Sequence, residues 1–286
     1  MKITKNIYAI KIPFEISLSD GRKLSRFVYV YLICSKKIYL IDSGVKGSEK
    51  IIFDFIKSIN RNPLDIQKVF FTHAHPDHIG SAKSLEKLVG CKFYIHNLER
   101  DWVENIDLQS QQRPVPGFHD FVEGPVSIAD TFEDEEVVQL DSGLILKVLH
   151  TPGHSLGSVS FILPSDKIVF CGDAILPDKG IPIYDNYCST VVSLNRLSEL
   201  KDIDFLLSSW SDPTGGREIL KLINESKKYL EQIKNLVLEV YGKNRDKDVL
   251  DLSKQVLSQL GLPLGLMNPL VVKSFVSILE QNKERN

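Results

Sequence analysis

The sequence predicts a layered α/β domain followed by an all-helical extension, and three observations predict it. Short apolar segments alternate with stretches of helical periodicity as far as residue 212. Histidines and carboxylates gather at the ends of three of those short segments. From residue 213 to residue 286 only helical periodicity remains. The expected division is therefore a sheet domain over residues 1–212 and a helical extension over residues 213–286.

Residues 7–12, 27–34 and 37–41 read as strands, with Ser35-Lys36 fitting a hairpin connection between the last two. Residues 48–59 place Ile51, Ile52, Phe55, Ile56 and Ile59 at helical spacing. Residues 69–72 form a short buried strand, 81–89 a helix and 93–96 another strand. Residues 108–120, rich in Gln and Pro, read as a mobile loop. The acidic run 133–136 reads as a solvated turn. Strands follow over 137–139, 144–149, 158–163 and 168–171, then a helix over 191–200 and a last strand over 205–208. Beyond Pro213, Ile219, Ile223, Leu230, Ile233, Val237 and Val240 make one apolar stripe. Val249, Leu252, Val256 and Leu260 make a second, ended by Gly261 and Pro263. Asn268-Pro269 suits the cap and first turn of a third helix reaching Leu279. This extension is expected to pack on the sheet domain, where it covers a pocket wall or forms a homodimer contact.

A chain of 286 residues can bury a real core without disulfides or structural metals. Thirty-five basic against thirty-seven acidic residues leave a formal net charge of -2, which argues against a nucleic-acid binder. No apolar run approaches the roughly 18–20 residues that span a bilayer. The N-terminal segment alternates apolar and polar residues and lacks a signal-peptide core. Cys34, Cys91, Cys171 and Cys188 are far apart and read as reduced thiols. A cytoplasmic protein acting on a small molecule, with no membrane or nucleic-acid partner, is expected.

The chemistry concentrates in residues 70–80, Phe-Phe-Thr-His-Ala-His-Pro-Asp-His-Ile-Gly. Three of the chain's seven histidines and a carboxylate fall within six residues there. An extended backbone sends His73, His75 and Asp77 to one side. His78 follows at the start of the next helix and can turn inward. Imidazole nitrogens with carboxylate oxygens suit zinc, iron or manganese. Two later segments complete the pattern. His-Thr-Pro-Gly-His-Ser, residues 150–155, closes a strand with a rigid turn that presents His154. Phe-Cys-Gly-Asp-Ala, residues 170–174, closes another with Asp173 at its tip.

Together with Leu40-Ile41-Asp42-Ser43-Gly44, these segments resemble the signature of the metallo-β-lactamase superfamily, in its glyoxalase II-like branch, over roughly residues 5 to 212. The resemblance implies an αββα four-layer sandwich with a metal site at one edge between the sheets. It implies that His73, His75 and His154 hold a first metal, Asp77 and His78 a second, and that Asp173 bridges them. Asp42 would orient the ligands. One or two zinc ions are implied, with iron or manganese as alternatives. The implied reaction is hydrolysis of a small-molecule ester-like bond (thioester, lactone or phosphodiester) by a metal-activated hydroxide. Asp77 would orient the nucleophile and relay a proton.

One departure stands out. The family closes its second site with a histidine after the last strand, but here Trp210 stands in that place and no histidine follows His154. Indole cannot ligate a metal through its N–H. Asp212 or His119 could fill the gap, or water could. His96 and His150 read as strand-end residues, His150 with a weak claim to support a ligand. Tyr184 and Tyr187 stand on a segment that borders the pocket in this family, where a tyrosine can meet a substrate carbonyl. Two other readings compete with the hydrolase. One is a mononuclear iron enzyme resembling persulfide dioxygenases, built on His73, His154 and Asp173. The other is a non-catalytic binding member in which Trp210 fills the second-metal pocket.

Overall fold

In the computed structural model, described for residues 1–18, 20–244 and 248–283, two six-stranded sheets face each other across a shared apolar layer. The first sheet runs in chain order: β1 (Ile7–Ser17), β2 (Lys23–Cys34), β3 (Ile38–Ile41), β4 (Ile66–Phe70), β5 (Lys92–His96) and β6 (Ile128–Phe132). Its first three strands are antiparallel and β3 to β6 are parallel. Parallel neighbours need crossover connections. Helices supply them here: α1 (Ser48–Ser58), then α2 (Pro76–Ile79) and α3 (Ala82–Val89), then α4 (Arg100–Glu104), α5 (Ile106–Gln112) and α6 (Phe118–Phe121).

The second sheet holds β7 (Val137–Gln139), β8 (Ile145–His150), β9 (Val159–Leu163), β10 (Ile168–Gly172), β11 (Phe205–Ser208) and β12 (Thr214–Gly215) in reverse chain order. Only β10 and β11 are parallel, joined by α7 (Tyr187–Glu199).

Strand alternation explains the layering. In β2, Tyr29, Tyr31 and Ile33 face the second sheet, while Val28, Val30 and Leu32 pack in the cluster with Ile52, Ile56 and Leu85 of the helices. In β10, Phe170 points inward and Val169 and Cys171 point to the opposite helical layer. The order is helices, sheet, sheet, helices, the expected αββα sandwich.

The chain ends in α8 (Glu218–Lys243), α9 (Val249–Gln259) and α10 (Pro269–Lys283). Ile223, Leu230, Ile233, Val256 and Phe275 share a buried cluster with Val169 and Leu206 of the second sheet. Asn268 caps α10, its side-chain oxygen accepting from the backbone N–H of Leu270 at 2.9 Å. The Ser274 hydroxyl both accepts from the Tyr184 N–H and donates to the Tyr184 carbonyl, at 2.8 and 2.7 Å. That pair fastens α10 to the segment beside the site.

Three expectations need correction. Residues 108–120 are largely helical, in α5 and α6, instead of a mobile loop. Asn105 caps α5, and the fully buried Gln109 donates its amide to the Ala74 carbonyl at 2.6 Å. That long-range bond orders a segment whose composition suggests a loop. The β1–β2 ladder continues to Ser17↔Lys23, well past Pro13, because β1 is an edge strand where a missing N–H is tolerated. The α7 helix begins at Tyr187, since Asn186 accepts from the Ser189 N–H at 2.9 Å and caps it there.

Candidate metal centre

The centre lies where chain segments leaving β4, β8 and β10 converge. After β4 the chain bends at Thr72, His75 is extended, and Pro76 then opens α2 at the first helical position, where its missing N–H costs nothing. The two sheets are stitched at this edge by the Val159 N–H donating to the Thr72 carbonyl at 2.9 Å. Gly153 turns the chain toward His154 at φ 130, where an added Cβ would lie 2.4 Å from the Thr190 nitrogen.

Outer hydrogen bonds set the tautomers of the ligand rings. His78 donates its Nδ1–H to Asp42 at 2.8 Å, and His154 donates its Nδ1–H to the Ile183 carbonyl at 2.9 Å. The Thr72 hydroxyl donates to Asp42 at 2.9 Å and so accepts the Nδ1–H of His73, at 3.0 Å. With Nδ1 engaged outside, each of these three rings turns its Nε2 inward. His154 Nε2 lies 3.2 Å and His73 Nε2 3.9 Å from Asp173 Oδ2. His78 Nε2 lies 3.3 Å from Asp173 Oδ1. His75 Nδ1 faces His154 Nε2 at 2.8 Å.

Metal-ligating atoms of His73, His75 and His154 lie within 4.8 Å of one another, as do those of His73, His78 and Asp173. The Nε2 atoms of His73, His75 and His78 and Oδ1 of Asp173 are buried without a hydrogen-bond partner. Four orphaned polar atoms in one place would be costly without a ligand to satisfy them. Their donor set, imidazole nitrogen with carboxylate oxygen, fits a divalent transition metal. Asp77 stands beside this set, its Oδ2 at 3.6 Å from His78 Nε2.

The electrostatics agree with a cation site. Burial holds His73 and His75 well below the ordinary histidine pKa, so both rings are neutral, as ligands must be. Burial works against ionised Asp173, but His78 and His154 outweigh it and keep the carboxylate charged. Burial raises the Asp77 pKa, and Asp173 adds to the rise against the pull of His78.

A cavity of about 540 Å³ opens over the centre, lined by His75, Asp77, His154 and Asp173. Trp210 and Tyr184 also line it. Trp210 does not close a metal site; its ring packs edge-on to Phe14 at 6.2 Å and under the Arg26 guanidinium at 4.3 Å. Asp212 points away: it is largely exposed, 3.6 Å from Lys11, and accepts the Tyr29 hydroxyl at 2.7 Å. His119 is exposed on α6, facing Asp107 at 3.9 Å, and takes no part. Neither rescue of the missing ligand is realised. Tyr184 keeps a buried hydroxyl without a hydrogen-bond partner at the cavity, while Tyr187 sits in the first turn of α7 below Lys234. His150 stacks on His96 at 4.5 Å, and supports no ligand.

Sequence reading missed Glu99. Its buried carboxylate accepts from the Ala74 N–H, the Ser155 hydroxyl and the Gly157 N–H, the last at 2.9 Å. One side chain thus joins the His73–His75 segment to the turn that carries His154. Nothing local in the sequence marks it; the close packing shows only in the structure, where a Cβ at Gly157 would lie 2.7 Å from Glu99 Cγ. Arg26 and Arg113, both in the cavity wall, were missed as well.

The family profile of the metallo-beta-lactamase superfamily matches residues 25–208. The chain belongs to the metallo-beta-lactamase superfamily. A hydroxyacylglutathione hydrolase, GloC, of Haemophilus influenzae is 27% identical over 143 residues, which cover 49% of this chain and 62% of that relative. A Methanocaldococcus jannaschii protein named "Probable metallo-hydrolase" is 29% identical over 184 residues, covering 62% of this chain and 84% of its own length. The chain thus spans less than two thirds of the first of these relatives. Among solved structures, a metallo-beta-lactamase family protein from Thermus thermophilus superposes with a TM-score of 0.73 at 18% identity, over 99% of this chain and 94% of that one. This likeness in fold covers the C-terminal helices as well as the two sheets. No helix among the described residues is long and apolar enough to cross a membrane.

Proposed function

We propose that this superfamily member is a metal-dependent hydrolase of a small-molecule ester-like bond: a thioester, lactone or phosphodiester. The observation that carries the reading is the convergence of unpartnered nitrogens of His73, His75 and His78 with Asp173 beneath an open cavity. His73, His75 and His154 would hold one ion, and His78 with Asp173 and Asp77 would face a second. A divalent ion held by these residues would supply a water of lowered pKa, toward roughly 7, and would polarise the scissile carbonyl or phosphoryl oxygen.

The chain's own residues supply the rest. Asp42 and Thr72 hold the rings of His78 and His73 in one tautomer. Glu99 keeps the two ligand-bearing segments at a fixed distance. Asp77 lines the cavity beside the ligand set and is placed to take a proton from water and return it to the leaving group. Zinc is the ion expected from the donor set, and a cytoplasmic location suits four cysteines that form no disulfide among the described residues.

Hydrolysis of thioester, lactone and phosphodiester panels, before and after chelation, tests the reading. Chelator-sensitive turnover of one class is expected; chelator-resistant turnover, or none in any class with metal bound, overturns it. Trp210 favours a second reading, because an indole engaged with Arg26 adds no ligand to Asp77, His78 and Asp173. A single iron per chain with dioxygen uptake on persulfides would support that reading.

A further inference from the structure

The cavity holds two arginines that the ligand set does not require. Arg26 projects from β2 onto the Trp210 ring. Arg113 follows α5 and is 5% exposed, and its Nε has no hydrogen-bond partner. Neither guanidinium forms an ion pair with a carboxylate among the described residues. Asp77 and Asp173 act on both through space, and Asp185 and Glu99 also act on Arg113. Asp77 and Asp173, however, are the groups that would face a bound metal. A buried guanidinium without a direct partner is costly, and a planar fork of donors matches a carboxylate or phosphate two bonds at a time.

Most of the remaining wall is apolar, with Lys179, Asp178, Ser25 and Asn268 among its polar members. Phe14, Ile16 and Phe27 come from the β1–β2 hairpin, Leu176 from the segment after β10, and Leu266 and Leu270 from the approach to α10. The volume suits a ligand of ordinary small-molecule size. Positive charge beside the metal centre and apolar surface beyond it define an amphiphile.

We propose that the cavity takes an amphiphilic oxyanion, whose carboxylate or phosphate group is held by Arg26 and Arg113 near the scissile bond while an apolar chain lies against the hairpin and the Leu266–Leu270 segment. This names the substrate class of the hydrolase reading and rests on it. Free phosphate lacks the apolar contacts, worth about 0.8 kcal/mol per buried methylene. A neutral chain leaves both arginines without a partner.

The test is titration calorimetry of the metal-replete enzyme with decyl phosphate, decanoate, decanol and inorganic phosphate. It is paired with hydrolysis of O-octanoyl lactate and its neutral methyl ester. One of the two amphiphilic anions is expected to bind at least about tenfold more tightly than decanol or inorganic phosphate, a difference of about 1.4 kcal/mol. Whichever anion binds tighter identifies the oxyanion. Arg26→Met and Arg113→Met should each weaken that binding by about tenfold without changing decanol binding. This separates arginine recognition from direct capture by a metal ion. Arg26 is only half-buried, so its variant keeps the test decisive if Arg113→Met fails to fold. Equal binding of decanol and the anions, or a wild-type Kd in Arg26→Met, overturns the proposal. Chelator-sensitive hydrolysis that prefers the methyl ester overturns it while leaving the hydrolase reading intact. Arginine-dependent binding without hydrolysis of any ester supports the anion site and overturns the hydrolase.

Discussion

The Arg26 guanidinium lies 4.3 Å from the centroid of the Trp210 ring, so the residue standing where a metal-ligating histidine was expected serves as a platform for a cation. Such stacking is worth about 0.5–2 kcal/mol, depending on desolvation. Trp210→Ala is therefore expected to raise the KM for an anionic substrate about three- to tenfold while leaving metal content per chain unchanged. Steady-state kinetics beside elemental analysis of the variant check this. Loss of metal with the tryptophan would show that Trp210 shapes the centre itself.

Asp42 sits at φ 63 and gathers the Thr72 N–H, the Thr72 hydroxyl and the His78 ring. Asparagine tolerates that backbone conformation, so Asp42→Asn should fold. The amide removes the charge that fixes His78 with its bare nitrogen inward. Loss of such a partner costs about 10–100-fold in metal affinity or activity. Competition against a zinc-sensitive chelator dye measures it, and wild-type affinity in Asp42→Asn would refute this role.

Glu99→Ala leaves the Ala74 and Gly157 N–H groups buried without their acceptor. Stranding two buried donors costs on the order of 2–5 kcal/mol. Denaturant unfolding should show this loss, with metal affinity falling alongside because the His73–His75 segment and the His154 turn are no longer joined. A variant as stable as the wild type would mean that the two segments are held by other contacts.

These cases show which parts of the molecule were legible in the sequence. The spacing of His73, His75, Asp77 and His78 is local, although the structure carries it past the end of β4 and places Asp77 and His78 on α2 instead of on an extended segment. The strand at residues 27–34 was visible as a short apolar segment, and the stripes of α8 and α9 as helical periodicity. Glu99, Gln109 and Arg113 belong to a polar stretch whose meaning comes from partners far along the chain, Ala74 and Gly157 among them, and such bonds leave no periodic signal. Pro13 disguised the length of β1 because edge position is a property of the sheet, not of the residue. Asp212 looked available as a ligand until the hairpin's Lys11 and Tyr29 claimed it.

Acid should destabilise the metal-free protein. Burial lowers the pKa of His73 and His75 well below the usual value, and that of His154 also, against the pull of Asp173. Below about pH 6.5 the unfolded chain binds protons that these folded rings refuse, so stability is lost as pH falls from there toward the depressed values. His78 opposes them: burial disfavours its charge, but Asp173, Asp42 and Asp77 raise its pKa, and its contribution is full below about pH 6.5 and lost on raising pH. Below about pH 6.5 His78 is protonated in both the folded and the unfolded chain and adds no slope, so the depressed rings decide the direction. Melting curves of chelated protein should show a falling Tm between about pH 7 and about pH 5, and a Tm that rises on acidification would contradict the balance.

Metal content per chain is the most direct test of the centre, measured by elemental analysis of protein purified without chelator or added metal. At least one divalent transition-metal ion per chain is expected, reduced to a trace in His73→Ala, with ester hydrolysis lost on chelation and restored by readdition. Protein that is metal-free as purified and does not take up zinc would contradict a metal-dependent hydrolase built on these residues.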